Sequence, residues 1–178
     1  LGRVKASLAS GLRCVTGDRR SLGLVQSMTV DENLMLAGDR FARRRLHRAG
    51  HLARRAAPVR DTYGVVALTG NPPVGSLSGG NQQKVLLGKW LETEPVACFL
   101  EDPTNGVDVA AMADIHTLVD DLAARGVAVL LASSSAEEVM RLADRVVVVS
   151  AGRTVAEHDI NAITRDELVA TALGGQPQ

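Results

Sequence analysis

LSGGNQQKVLLGKWL, residues 77–91, places a serine and two glycines directly before an apolar pattern of helical spacing. Ser78 is a favourable residue for the start of a helix, so we expect a helix to begin just after it. Backbone amides at such a start are unpaired and, together with the helix dipole, form a site for an anion that glycines let a phosphate approach. Taken alone, a capped helix with two permissive glycines explains this segment better.

A second segment, residues 96–102, adds a further indication of a ligand-binding site. The apolar run VACFL, residues 96–100, predicts a strand, and Glu101 and Asp102 follow it directly. Ligands of parallel α/β sheets bind at the carboxyl ends of the strands, where two adjacent carboxylates are costly without a cation or a substrate. One carboxylate can serve Mg²⁺, directly or through water, while the other polarises an attacking water. A solvated acidic turn is the alternative.

The order of predicted elements indicates an α/β fold. Apolar strands and helices alternate from residue 96, which predicts a parallel sheet with helical crossovers. Residues 146–149 and 154–157 flank Ala151 and Gly152 and predict an antiparallel hairpin. Upstream, residues 4–10 predict a short helix and residues 12–16 a short strand.

Two helix starts have the spacing of a capping box. Thr29 precedes Glu32, and Thr164 precedes Glu167, each by three residues. The first box predicts a helix from about residue 30 into an arginine-rich stretch, with Gly50 interrupting it. The second box predicts the last helix of the chain.

Composition and charge narrow the class of protein. The chain has 178 residues, 46% of them hydrophobic and 22% charged, which argues against disorder and fibrous folds. The net charge of zero divides into 13 basic and 4 acidic residues up to position 60, and 7 basic and 16 acidic residues after it. The arginines between residues 40 and 60 raise the possibility of a nucleic-acid contact, but interleaved aromatic residues are missing there.

The cysteine and hydropathy patterns favour a cytosolic protein. Cys14 and Cys98 each lie in an apolar strand-like run, which predicts buried, reduced thiols. An apolar run of the roughly 20 residues that cross a bilayer is missing, so we expect membrane association only through a partner.

Together the two segments resemble the ATP-binding cassette (ABC) ATPases. Residues 77–84 match the signature motif, residues 96–102 the Walker B strand, and residues 106–109 the D-loop. The Asn-Gln-Gln-Lys form of the signature is similar to the second cassette of tandem ATPases that energise monosaccharide import. Residues 15–33 fit the same cassette, so the resemblance covers nearly the whole chain.

The resemblance implies a fold and a division of the chain. The fold is an α/β, P-loop NTPase-like cassette with a mostly parallel sheet, flanking helices and a helical subdomain that holds the signature. That subdomain spans about residues 29–91, the Walker B, D-loop and switch region about 95–160, and the C-terminal helix about 161–178. A G-x-x-x-x-G-K-[ST] loop is missing from the sequence, so the chain looks like the C-terminal part of the second nucleotide-binding domain without its Walker A region.

The resemblance also implies site residues. ATP is bound between two cassettes, so the cofactor-binding residues are Ser78, Gly79, Gly80, Gln82 and Asp108. Glu101 is the implied Mg²⁺ ligand and Asp102 the catalytic base. Ser134 aligns with the switch histidine and is the second implied catalytic residue, while Asp18 and Arg19 belong to a loop that couples to a membrane-domain helix.

Three positions depart from the family pattern. The family has Asp then Glu after the Walker B strand, whereas here Glu101 precedes Asp102. Gly17 stands where the Q-loop residue contacts Mg²⁺ or its water, and Ser134 stands where the histidine does. We therefore expect a degraded half-site in this chain.

Three functions remain open. In the first, the chain is an ATP-binding component of a sugar importer, cytoplasmic and peripheral to the membrane, with a second cassette and permease subunits as partners and no direct nucleic-acid contact. In the second, it is an inactive cassette remnant that serves as an interaction or regulatory module. In the third, it is a nucleic-acid-associated cassette.

Overall fold

We describe residues 4–37, 49–67 and 70–174 of the chain in a computed structural model. The chain divides into two compact units, at residues 1–130 and 131–178. Helices and strands alternate in both units, as the sequence predicts for an α/β fold. The first unit holds all but one of the residues assigned to the candidate site.

The first unit is built on a three-stranded sheet. Strand β1 (Leu12–Val15) lies beside β2 (Ala97–Glu101), and β3 (Ala128–Ala132) lies on the other side of β2. Strands β1 and β2 run parallel, and Val15 pairs with Leu100 at their carboxyl ends. This register brings the residues after β1 beside Glu101.

The described residues of the first unit form five α-helices: α1 (Val4–Ala9), α2 (Val30–Met35), α3 (Ala49–Thr62), α4 (Gly79–Leu91) and α5 (Val109–Ala124). Helices α2, α3 and α4 pack together in the part of the unit that precedes β2. Leu34 of α2 and Leu86 and Leu87 of α4 are all fully buried. The beginning of α4 is thereby fixed by an apolar core.

The predicted capping box at Thr29 is confirmed, but the helix that it starts is short. Thr29 accepts from the amide of Glu32, whose carboxylate accepts from the amide of Thr29. Helix α2 ends at Met35, and the arginine-rich residues 38–48 lie outside the described part of the chain. The interruption predicted at Gly50 is wrong, because Gly50 lies in the first turn of α3 and a Cβ there would meet no atom within 4 Å.

One face of the sheet carries exposed apolar residues in the part of the chain that the structure describes. Leu12 is 46% exposed and Leu130 is 66% exposed, and with Phe99 they line an apolar groove of about 600 Å³. Cys14 lies in the same groove and is exposed, so its predicted burial is wrong, whereas the burial of Cys98 is confirmed. Alternation along the strands explains the difference, because neighbouring residues face opposite sides of a sheet.

The second unit contains α6 (Ala136–Leu142), β4 (Arg145–Ser150), β5 (Arg153–Asp159) and α7 (Arg165–Ala172). The predicted hairpin is confirmed: β4 and β5 are antiparallel, and Ala151 and Gly152 both have positive φ, as a two-residue type I′ turn requires. The capping box at Thr164 is confirmed as well. A small apolar core joins Val146, Val148, Ile163 and Leu168.

Candidate functional site

Ser78 forms the exposed start of α4. Its hydroxyl oxygen accepts hydrogen bonds from the amide of Asn81 at 3.4 Å and from the Asn81 side chain at 3.1 Å. The side chain of Ser78 is therefore held at the helix end, beside the unpaired amides of the first turn. The predicted start of a helix after Ser78 is confirmed, and anion binding there remains a prediction.

Gly79 and Gly80 allow close packing beside Ser78. A Cβ on Gly79 would lie 2.8 Å from the carbonyl oxygen of Gly106, and a Cβ on Gly80 would lie 2.5 Å from the Cβ of Ala111. Neither contact leaves room for a side chain. Both glycines are thus needed where α4 meets α5 and the turn before it, in addition to any contact with a phosphate.

Gln82 lies in the interior. It is 3% exposed, and its amide nitrogen donates to the carbonyl oxygen of Leu77 at 3.0 Å. Lys84 is also committed, because its Nζ lies 2.6 Å from Asp114 of α5 and 3.2 Å from the carbonyl oxygen of Gly64. Direct contact between Gln82 and a nucleotide remains a prediction, whereas the structure shows it supporting the residues before α4.

Glu101 reaches across the sheet edge to the end of β1. Its Oε2 accepts from the Thr16 hydroxyl at 3.1 Å and from the Gly17 amide at 3.2 Å. A Cβ on Gly17 would lie 3.1 Å from the carbonyl oxygen of Glu101. The absence of a Cβ at residue 17 therefore lets the loop after β1 pack closely against the end of β2.

Asp102 and Asp108 begin and end the turn between β2 and α5. Asp102 has a φ of 40°, a left-handed conformation that Asp adopts more readily than most residues. Asp108 caps α5, because its Oδ1 accepts from the amide of Ala111 at 2.9 Å. The other oxygen, Oδ2, lies 3.6 Å from the position of a Cβ on Gly80. The structure therefore brings Asp108 beside the start of α4, and its contact with a nucleotide remains a prediction.

Ser134 lies in the second unit, on the loop before α6, and is exposed. On one side of it, Ser133 donates from its hydroxyl to Glu138 at 2.6 Å. On the other side, Ser135 caps α6 by accepting from the amide of Glu138. Two serines thus fix the loop that presents Ser134, whose catalytic role stays a prediction.

Arg19 has a position that the sequence did not indicate. Its guanidinium donates from Nη1 to the carbonyl oxygen of Asn105 at 2.5 Å and from Nη2 to that of Gly106 at 3.0 Å. Burial lowers the pKa of Arg19, and the neighbouring charge of Arg20 adds to the effect. The side chain is directed toward the turn before α5 and does not extend outward from its loop, and a Cβ on Gly79 would lie 2.9 Å from its Nη2. Residues 19 and 105 are far apart in sequence, so no local pattern signals this contact.

Within the described ranges, no group of three or more His, Cys, Asp or Glu side chains is placed to hold a metal ion. Glu101 and Asp102 are the carboxylates at the sheet edge. Mg²⁺ in nucleotide sites is commonly bound by one or two carboxylates together with phosphate oxygens and water. The donor set fits such a shared site and does not form a metal cage of its own.

Comparison with solved structures identifies the fold. A dimeric ATP-binding cassette in a post-hydrolysis state with ADP and Pi matches 92% of this chain and 69% of its own chain, with a TM-score of 0.74 and 19% identity. A nucleotide-free cassette from an ABC transporter matches 95% of this chain and 67% of its own, with a TM-score of 0.71 and 22% identity. The chain has the fold of an ATP-binding cassette. The fold class expected from the sequence is confirmed.

Sequence relatives indicate a branch of the cassette proteins. A ribose import ATP-binding protein of Streptomyces avermitilis is 40% identical over 97% of this chain, and one of Rhodococcus jostii is 36% identical over 98%. A xylose import ATP-binding protein of Moorella thermoacetica is 35% identical over 96%. The chain spans about a third of the length of these relatives. No family model matches it. These relatives favour the sugar-import hypothesis over the other two.

Proposed function

We propose that this chain is part of the ATP-binding component of a sugar importer and supplies the signature motif to an ATP site shared with a second cassette. The observation that best supports the proposal is the exposed, serine-capped start of α4 with its two glycines, in a chain whose relatives import ribose and xylose. By this proposal, it corresponds to the part of the second cassette that follows the Walker A region. Residues 29–91 are the helical subdomain, residues 95–160 the Walker B to switch region, and residues 161–178 the C-terminal helix.

In the shared site, the phosphate of a nucleotide held by the partner cassette meets the start of α4. The Ser78 hydroxyl and the amides of Gly79 and Gly80 are the donors, and the helix dipole adds attraction. Asp108 lies at the same surface and contacts the partner. Gln82 acts by holding the backbone of Leu77 from inside.

The half-site of this chain is built around Glu101 and Asp102. Mg²⁺ supplies Lewis-acid stabilisation of the transferring phosphoryl group when it is bound with ATP. By this proposal Glu101 would ligate it directly or through water, and its Oε2 also accepts from Thr16 and Gly17. Asp102 accepts the proton of the attacking water, and Ser134 is the second proposed catalytic residue.

The partners follow from this function. A second cassette completes the ATP site, and permease subunits receive the motion at the inner face of the membrane, where the chain is peripheral and cytoplasmic. None of the helices in the described part of the chain is long and apolar enough to span a bilayer. The arginine-rich stretch is proposed as a solvated surface and not as a nucleic-acid site.

The first test concerns the chain alone. A helix N-terminus stabilises a phosphate by at most about 2 kcal/mol, which corresponds to a dissociation constant of roughly 30 mM. We expect titration calorimetry with Mg²⁺ and ATP to detect no binding at millimolar concentrations. Micromolar binding would contradict a signature that acts only on a partner's nucleotide.

A substitution at Ser78 tests the shared site. Asp and Asn both cap helices as well as Ser does, so Ser78→Asp and Ser78→Asn keep α4 capped. The aspartate places a negative charge where the phosphate would lie, at a cost of about 4 kcal/mol for charges 4 Å apart near a protein surface. We expect Ser78→Asp to abolish the ATP-dependent association of this chain with a complete sugar-import cassette protein, measured by sedimentation.

Ser78→Asn is the matched control. It keeps the cap and the neutral charge, so we expect association within about tenfold of the wild-type chain. Equal association of the Asp and Asn variants in the presence of ATP would rule out a phosphate at Ser78. Far-ultraviolet circular dichroism checks that both variants keep the helix content of the wild-type chain.

A further inference from the structure

Three segments of the first unit meet at one arginine. Arg19 lies in the loop after β1, and it donates to the carbonyl oxygens of Asn105 and Gly106 in the turn before α5. Its Nη2 is also the atom that a Cβ on Gly79 would approach to 2.9 Å. The guanidinium thus fills the space between the loop after β1, the turn before α5 and the start of α4.

From the geometry we infer that Arg19 is a positioning residue that fastens the loop after β1 to the 105–108 turn, which packs closely against the start of α4, so that the loop, this turn and the signature move together. A guanidinium is planar, and its two terminal nitrogens match two adjacent carbonyl oxygens. Bonds of this kind to a charged donor are stronger than bonds between neutral groups. The contact therefore restrains the turn more firmly than a neutral side chain would.

Two further contacts extend the connection made by Arg19, one toward β2 and one toward the start of α4. At one end, the Thr16 hydroxyl and the Gly17 amide hold the loop to Glu101, which ends β2. At the other end, Asp108 caps α5 and lies beside Gly80. Arg19 lies between these two contacts and connects them. A displacement of the loop after β1 is consequently passed to the turn and to the start of α4.

The surroundings of Arg19 leave it few alternatives. Its Nε is buried and has no hydrogen-bond partner among the residues that the structure describes, so the bonds to the two carbonyl oxygens place the guanidinium there. Gly106 has a φ of 65°, and a Cβ on it would lie 3.3 Å from Arg19 Nη2. The turn is therefore shaped to present its carbonyl oxygens to the guanidinium.

The role of Arg19 in a shared ATP site rests on the proposed function. The coupling of the loop after β1, the turn and the start of α4 is measured without nucleotide or partner. The probe is amide hydrogen exchange of the chain, followed in residues 105–108 and 78–82. The amide of Val107 donates to Thr104 inside the turn, and that of Gln82 donates to Ser78 at the start of α4. Both amides report opening of the segments that Arg19 joins.

We expect Arg19→Gln to speed exchange in both segments at least tenfold, while peptides of α3 and of the second unit keep the wild-type rates. Arg20→Gln, which removes the same charge from the exposed neighbouring residue, is the matched control and leaves both segments unchanged. Arg19→Lys keeps the charge but has no planar pair of donors, so we expect it to resemble Arg19→Gln.

Several results would overturn the inference. Equal exchange in the Arg19→Gln and Arg20→Gln chains would show that the two bonds restrain nothing. Faster exchange spread evenly over the first unit would indicate general destabilisation. Wild-type exchange in Arg19→Lys would assign the effect to charge alone. If Arg19→Gln fails to fold, the comparison of Arg19→Lys with Arg20→Lys decides between these results.

Discussion

At the scale of single residues, the order of Glu101 and Asp102 has a structural explanation. Glu101 is long enough to reach the Thr16 hydroxyl and the Gly17 amide, and Asp102 occupies a position with positive φ that suits aspartate. Exchanging the two shortens the first side chain and places glutamate in the left-handed region. The family order thus conflicts with the contacts seen in this chain.

We expect the double variant Glu101→Asp with Asp102→Glu to lower the free energy of unfolding by about 2 kcal/mol. About half of this comes from the hydrogen bonds lost at residue 101 and about half from backbone strain at residue 102. Urea denaturation of the double variant and of each single variant measures it. A double variant as stable as the wild-type chain would show that neither contact matters.

The buried carboxyl group of Asp31 makes the stability of the folded chain depend on pH. Its side chain is 1% exposed, and burial raises its pKa despite Arg60, whose Nε lies 3.3 Å from Oδ1. Because the folded chain holds this proton more tightly than the unfolded chain, the contribution of Asp31 to stability is complete below about pH 4 and is lost as the pH rises. We expect Asp31→Asn to gain stability relative to the wild-type chain between pH 4 and pH 7.

Denaturation of both chains across that range measures the difference. Asp61→Asn, on the exposed surface of α3, serves as the control for removing one carboxylate. If instead the wild-type chain gains relative to Asp31→Asn as the pH rises, the ion pair with Arg60 outweighs the cost of burial.

At the scale of elements, the close contact between α4 and α5 depends on Gly80, which has no Cβ. A Cβ on Gly80 would lie 2.5 Å from that of Ala111. In a helix, alanine is more favourable than glycine by about 1 kcal/mol, whereas overpacking at this contact costs about 1–3 kcal/mol. We therefore expect Gly80→Ala to leave the stability of the folded chain unchanged or to lower it by up to about 2 kcal/mol. Ala111→Gly removes the obstructing methyl group, so Gly80→Ala should stabilise a chain that already contains it.

The sign of the coupling energy in this double-variant cycle, measured by thermal denaturation, tests the contact. Additive effects would mean that the helices separate at no cost. The same geometry bears on the shared site, because any side chain at Gly80 moves α4 from α5 before it meets a phosphate. Ser78, being exposed, is the better residue for testing nucleotide contact.

Elements also show which features can be predicted from sequence. The capping boxes at Thr29 and Thr164 and the turn at Ala151 and Gly152 are local, so spacing alone identified them. The bonds of Arg19 to the turn before α5 join residues 86 and 87 positions apart, and no periodicity reports such pairs. The missed exposure of Cys14 has a similar cause, since an apolar run does not show whether both faces of its strand are covered.

At the scale of the whole molecule, the open face of the sheet predicts self-association. Leu12 and Leu130 project into an apolar groove of about 600 Å³, and exposed apolar patches of this kind promote association. We expect the 178-residue chain to form oligomers at micromolar concentrations and to bind a hydrophobic dye. The double variant Leu12→Lys with Leu130→Lys should be monomeric by light scattering.

Val109→Lys is the matched control, because Val109 is 82% exposed but lies away from the groove, at the start of α5. It should leave the oligomers intact. A wild-type chain that stays monomeric and binds no dye would show that the groove closes in solution.

The two cysteines lie on adjacent strands of this sheet and differ in accessibility. Cys98 is buried, and burial raises the pKa of its thiol to about 12, so it stays protonated and unreactive at neutral pH. Cys14 opens into the groove. Alkylation of the native chain by a maleimide should therefore stop at one adduct per molecule. Anything that covers the groove should slow the labelling of Cys14, so the labelling rate reports whether the groove is covered, without a tag or an engineered probe.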